Sequence, residues 1–87
     1  MMTAEDRKER AELVRVGTVW TRIEPSGKRI DFYVDYFTGS PMGGRVAHGI
    51  TERDTRLVAH VDVMIAHPER YEFLVDKLGE LLEERAA

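Results

Sequence analysis

Hydrophobic and polar residues alternate with a period of two in the second quarter of the chain and again after Arg56, and a period near 3.6 follows toward the C-terminus. From Arg29 to Phe37, Ile30, Phe32, Val34 and Tyr36 fall on one side of an extended chain, while Asp31, Tyr33, Asp35 and Phe37 fall on the other. The first set reads as a core face. The second mixes rings with carboxylates, as a half-covered surface does. Leu57, Ala59, Val61, Val63 and Ile65 alternate in the same way, although Leu57, Val58, Val61, Met64 and Ile65 also trace a helical stripe. The β-branched density around Val61, Val63 and Ile65 decides for a strand over Leu57–Ile65. From Glu69 to Arg85, Tyr71, Leu74, Val75, Leu78, Leu81 and Leu82 line one side of a helix, and Pro68 suits its first position. Phe73 lies off that stripe, on the side that should meet solvent.

The remaining segments fill in around these three. Thr3-Ala4-Glu5-Asp6 has the spacing of a capping box and predicts a short helix from Ala4 to about Glu12. Valines, threonines and Trp20 favour a strand within Leu13–Ile23, and Pro25-Ser26-Gly27 supplies a turn. Thr38–Gly44, with three glycines and a proline, reads as a loop. Arg45–Thr51 is a short strand and Glu52–Thr55 a turn. The predicted fold is α+β: a mostly antiparallel sheet of three or four strands packed on the C-terminal helix, with a short N-terminal helix. Residues 1–12 form a charged N-terminal segment, and residues 13–87 form a single domain.

An 87-residue chain buries only roughly 60 to 65% of its unfolded surface, so its core is thin and a partner subunit would help it. Hydrophobic residues at 43% and charged residues at 33% are the balance of a globular domain rather than a disordered one. There is no cysteine, which removes disulfides, thiolate nucleophiles and cysteine-based zinc sites. No apolar run approaches a membrane span, the N-terminus lacks a signal-peptide core, and a cytoplasmic location is expected. The net charge of −3 conceals an asymmetry: −1 over residues 1–12, +2 over 13–50 and −4 over 51–87.

Candidate chemistry thins out on inspection. Gly39-Ser40-Pro41-Met42-Gly43-Gly44-Arg45-Val46 nearly matches a phosphate-cradling loop, but Arg45 and Val46 replace the lysine and hydroxyl residue that act on the phosphates. His48, His60, Asp62 and His67 match no metal-ligand spacing. Asp31 and Asp35 share a predicted face but stand about 13 Å apart along a strand, too far to share a proton. Ser26 and Ser40 both sit in turns. Neither catalysis, a metal nor a cofactor is therefore expected.

Two binding readings remain. A sheet covered on one side by a helix leaves its second face for a partner, and that face would carry Tyr33 and Phe37 with Val58, His60 and Met64 from the late strand. With Phe73 from the helix, this predicts a non-catalytic interaction or regulatory module. Its partner is a second copy of itself, as a homodimer, or another protein; the contact residues are Tyr33, Phe37, His60, Met64 and Phe73. The alternative is a small nucleic-acid-binding protein using Arg22, Lys28 and Arg29 on the first hairpin, with Trp20, Tyr33 and Phe37 as neighbouring rings. Asp31, Asp35 and an isoelectric point near 5.6 weigh against it.

Overall fold

A computed structural model describes residues 2–86. The elements in chain order are α1 (Ala4–Leu13), β1 (Thr18–Ile23), β2 (Arg29–Gly39), β3 (Arg45–Thr51), β4 (Arg56–His60), α2 (Val61–Ala66), β5 (Tyr71–Asp76) and α3 (Lys77–Ala86). The fold is α+β, as expected, with five strands rather than three or four. The sheet runs β4-β3-β2-β1-β5 with every neighbouring pair antiparallel. Strands β1 to β4 form a meander. Helix α2 then carries the chain from one edge of the sheet to the other, where β5 joins β1.

Local chemistry sets most of the boundaries. The Thr3 hydroxyl accepts from the Asp6 N–H, and the Asp6 carboxylate accepts in return from the Thr3 N–H, each at 3.1 Å, so the expected capping box starts α1. Gly27, at φ 89°, closes the β1–β2 turn in a conformation that a side chain would strain. The β4–α2 boundary corrects the strand expected over Leu57–Ile65. His60 pairs with Val46, and β3 begins only at Arg45, so a longer β4 would have no partner for its backbone. From Val61 the chain bonds to itself as a helix.

The helix expected over Glu69–Arg85 is the larger correction. Tyr71–Asp76 is a strand, and only Lys77–Ala86 is helical. Tyr71, Phe73 and Val75 also alternate, and β1 offers an unpaired edge that satisfies their backbone. At the switch, the Asp76 carboxylate accepts from the Gly79 N–H at 2.9 Å, capping α3. Helix α3 does not lie across a sheet face. It meets the start of β1, where the Leu78 N–H donates to the Gly17 carbonyl at 3.2 Å and Leu78 Cβ packs over Gly17.

The core lies on the other side of the sheet, beneath α1 and α2. Trp20, Phe32, Val34, Ala47 and Met64 are fully or almost fully buried there, with Leu57, Ala59, Val61 and Tyr71 around them. Trp20 meets the Phe73 ring edge-on at 5.7 Å, and Phe32 meets Tyr71 at 6.3 Å. Above Trp20, the Arg10 guanidinium sits 5.4 Å from the ring centroid and donates to the backbone carbonyls of Met64, Ile65 and Tyr71. No residue of α1 itself is buried. One arginine therefore ties that helix to the end of α2 and the start of β5. Partial burial lowers the Arg10 pKa below its ordinary value, and Glu69 opposes that shift.

Candidate interaction face

On the side of the sheet away from α1 and α2, strand register places side chains in rows. Val75, Val19, Tyr33, Ile50 and Arg56 follow one another across all five strands. The next row is Tyr36, His48 and Val58, and beyond it lie Thr38, Val46 and His60. Among the described residues no helix overlies the middle of these rows: Tyr33, Tyr36 and Val58 remain 36%, 40% and 52% exposed. Val19, Tyr33 and Ile50 line a shallow recess there, with Lys77 at its margin.

A bulge makes this face what it is. Val34 pairs with Gly49 and Tyr36 with His48, leaving Asp35 as an extra residue in β2. The insertion reverses the alternation, so Tyr36 moves to the face of Tyr33 and Phe37 to the core side. Gly49, opposite Val34, leaves room for the Phe32 ring: a Cβ there would approach Phe32 Cδ2 to 2.6 Å and the Tyr33 carbonyl oxygen to 3.1 Å.

Polar contacts order the face. The Tyr36 and His48 rings stack with centroids 4.4 Å apart and planes 5° apart, and His48 Nε2 is 2.8 Å from the Thr38 hydroxyl. Arg56 lies over the Tyr36 ring at 5.5 Å and pairs with Asp35 at 3.5 Å. At the opposite end, Arg29 reaches across β1 to Glu72 at 2.5 Å, between the register positions of Thr21 and Ile23. Thr21, on that face, is fully buried, and its hydroxyl has no partner among the described residues.

Of the contact residues expected from sequence, Tyr33 and His60 stand exposed on this face with Val58. Three do not. Met64 is fully buried in α2, as the turn from strand to helix at Val61 directs it into the core. Phe37 follows the bulge to the core side, under the Arg45 guanidinium at 4.7 Å. Phe73 is a strand residue half-buried against Trp20 rather than a solvent-facing helical one. In their place come Tyr36, His48 and Ile50, which alternation alone had put in the core or left unassigned.

Arg22, Lys28 and Arg29 are brought together in one groove at the sheet end, but Trp20 and Phe37 do not accompany them as open rings. His67 pairs with Glu69 at 2.8 Å, away from His48 and its Thr38 contact. Among the described residues, no group of three or more histidines and carboxylates converges as metal ligands do. No helix among them is long and apolar enough to cross a membrane.

The chain matches no protein-family model, no curated protein and no solved structure. Its functional reading rests on its own residues.

Proposed function

We propose that this protein is a non-catalytic interaction or regulatory module that self-associates through the open face of its sheet. The observation that carries the reading is the pair of cross-strand rows, Val19–Tyr33–Ile50 and Tyr36–His48–Val58, open to solvent at Tyr33, Tyr36 and Val58 on a face that no helix covers among the described residues. An apolar centre inside a charged margin is the anatomy of a protein interface. The margin also favours a second copy as partner. Arg29 with Glu72 and Arg56 with Asp35 are closed ion pairs, so a two-fold contact, in which each patch meets its own image, brings no excess of one charge against itself. Tyr33, Tyr36 and Val58 keep about a third to a half of their surface exposed, so covering each contributes about 0.5 to 1.5 kcal/mol, which matters to a domain with a thin core.

Light scattering coupled to size exclusion, over a concentration series at low and high salt, tests the proposal. The expected result is a dimer that persists at high salt and that Val58→Asp converts to monomer, with the circular dichroism unchanged. A wild-type monomer throughout the series would sink it. The alternative, nucleic-acid binding, has the gathering of Arg22, Lys28 and Arg29 in its favour and lacks rings beside them on which bases would stack.

A further inference from the structure

The β1–β2 and β3–β4 turns lie at the same end of the sheet, and a groove of about 760 Å³ runs between them. Arg22, Lys28, Arg29, Arg53 and Arg56 all line it. We propose that this groove, which shares Arg29, Arg56 and Val58 with the margin of the open face, binds an oligophosphate, a ligand with two or more linked phosphate groups. Asp31 and Glu52 share the lining, and Glu24, Glu72 and Asp35 pair with Arg22, Arg29 and Arg56, which leaves Lys28 and Arg53 as the lining cations without an ion pair among the described residues. Two unpaired cations on neighbouring turns favour an anion in the space between them.

The cations retain donors for a ligand. A guanidinium has five N–H groups, and Arg29 and Arg56 each direct one terminal nitrogen to an internal carboxylate. Arg22 lies 3.8 Å from Glu24, beyond hydrogen-bond distance. Lys28 and Arg53, one on each turn, have no ion pair among the described residues. Arginine and lysine together supply both forked and point-like contacts to phosphate oxygens. The Thr51 and Thr55 hydroxyls, 2.6 Å apart, bond to each other, which leaves one hydroxyl proton for a ligand on the β3–β4 side.

Two features select the class of anion. Cations offered from two separate turns match a ligand whose charge is spread over more than one phosphate. No aromatic side chain lines the groove, so there is no platform for a base, and recognition falls on the phosphates.

The test is calorimetric titration of the whole protein with inorganic triphosphate, at about 50 mM and about 200 mM salt. It is repeated for Lys28→Ala/Arg53→Ala and for Arg7→Ala/Lys8→Ala, which removes two cations from α1 instead. Lys28 and Arg53 are exposed turn residues, so their removal leaves the core intact. Saturable binding, one ligand per chain and weaker at the higher salt, is expected. The turn variant should lose affinity by at least about tenfold and the α1 variant by less than about twofold. Three outcomes would overturn the proposal: no saturable binding at the lower salt, equal losses in both variants, or binding of a single-stranded oligonucleotide but not of triphosphate.

Discussion

Arg10→Ala tests how an N-terminal helix with no buried residue stays in place. In the wild type, Nε donates to the Ile65 carbonyl at 2.9 Å, and Nη2 donates to the carbonyls of Tyr71, also at 2.9 Å, and Met64. Two of these acceptors lie at the end of α2, where carbonyls have no partner within the helix. A hydrogen bond from a charged donor contributes roughly 1.5 to 3 kcal/mol, and a cation over an aromatic face about 1 kcal/mol. Taken at the low end, the set amounts to roughly 5 kcal/mol gross. Ordering the long side chain costs about 2 kcal/mol, and water reaching the vacated carbonyls recovers part of the rest. The expected net loss is about 2 to 4 kcal/mol, measured by urea unfolding followed through far-ultraviolet dichroism and Trp20 fluorescence. Arg7→Ala, on an exposed side of the same helix, should change stability by less than about 0.5 kcal/mol. Arg10→Lys should recover less than half of the loss, because an ammonium cannot reproduce the fork that spans three carbonyls. If Arg10→Ala and Arg7→Ala were equally mild, the clamp would not be what holds α1.

Two further perturbations test the cap of α1 and the packing of β2 on β3. The Thr3 backbone N–H, then its hydroxyl, holds the Asp6 carboxyl below the ordinary range, and the Glu69 N–H with His67 does the same for Glu69. A carboxylate with a depressed folded pKa stabilises the fold above its unfolded value and loses that contribution as pH falls through the folded value. Helical signal from α1 should therefore hold near pH 5 and decline toward about pH 2, with Asp6→Asn removing the dependence; an identical acid profile for that variant would refute the assignment. Gly49→Ala should cost about 2 to 4 kcal/mol in thermal unfolding, because its Cβ would meet Phe32 at 2.6 Å and backbone at 3.1 Å, where little can move. A stable Gly49→Ala protein would mean that β2 and β3 separate more readily than their packing implies.

The residues that speak for themselves in sequence are those whose role is local. Thr3 and Asp6 cap α1 because their side chains reach amides three residues away, and Gly27 closes a turn within its own four-residue span. The strand Arg45–Thr51 and the core positions Ile30, Phe32 and Val34 were legible because alternation needs no knowledge of the partner strand. The antiparallel α+β class followed from the same alternation. Tyr33 and His60 were found for the open face on that basis too.

Tertiary structure decided the rest. Tyr71–Asp76 carries both a helical and a strand periodicity, and only the free edge of β1, distant in sequence, chooses between them. The β4–α2 switch at His60 depends on where β3 begins, which is a property of the pair and not of either strand. One extra residue, Asp35, has no signature in composition, yet it turns Phe37 inward and Tyr36 outward and so determines which rings a partner would meet. Arg10 looks like one charge among many in a polar helix, and its task appears only when three carbonyls from two distant elements converge on it. Sequence determines what a segment can do within the reach of its own side chains. Which of those options is used is set by backbone partners and neighbours that the fold brings from elsewhere.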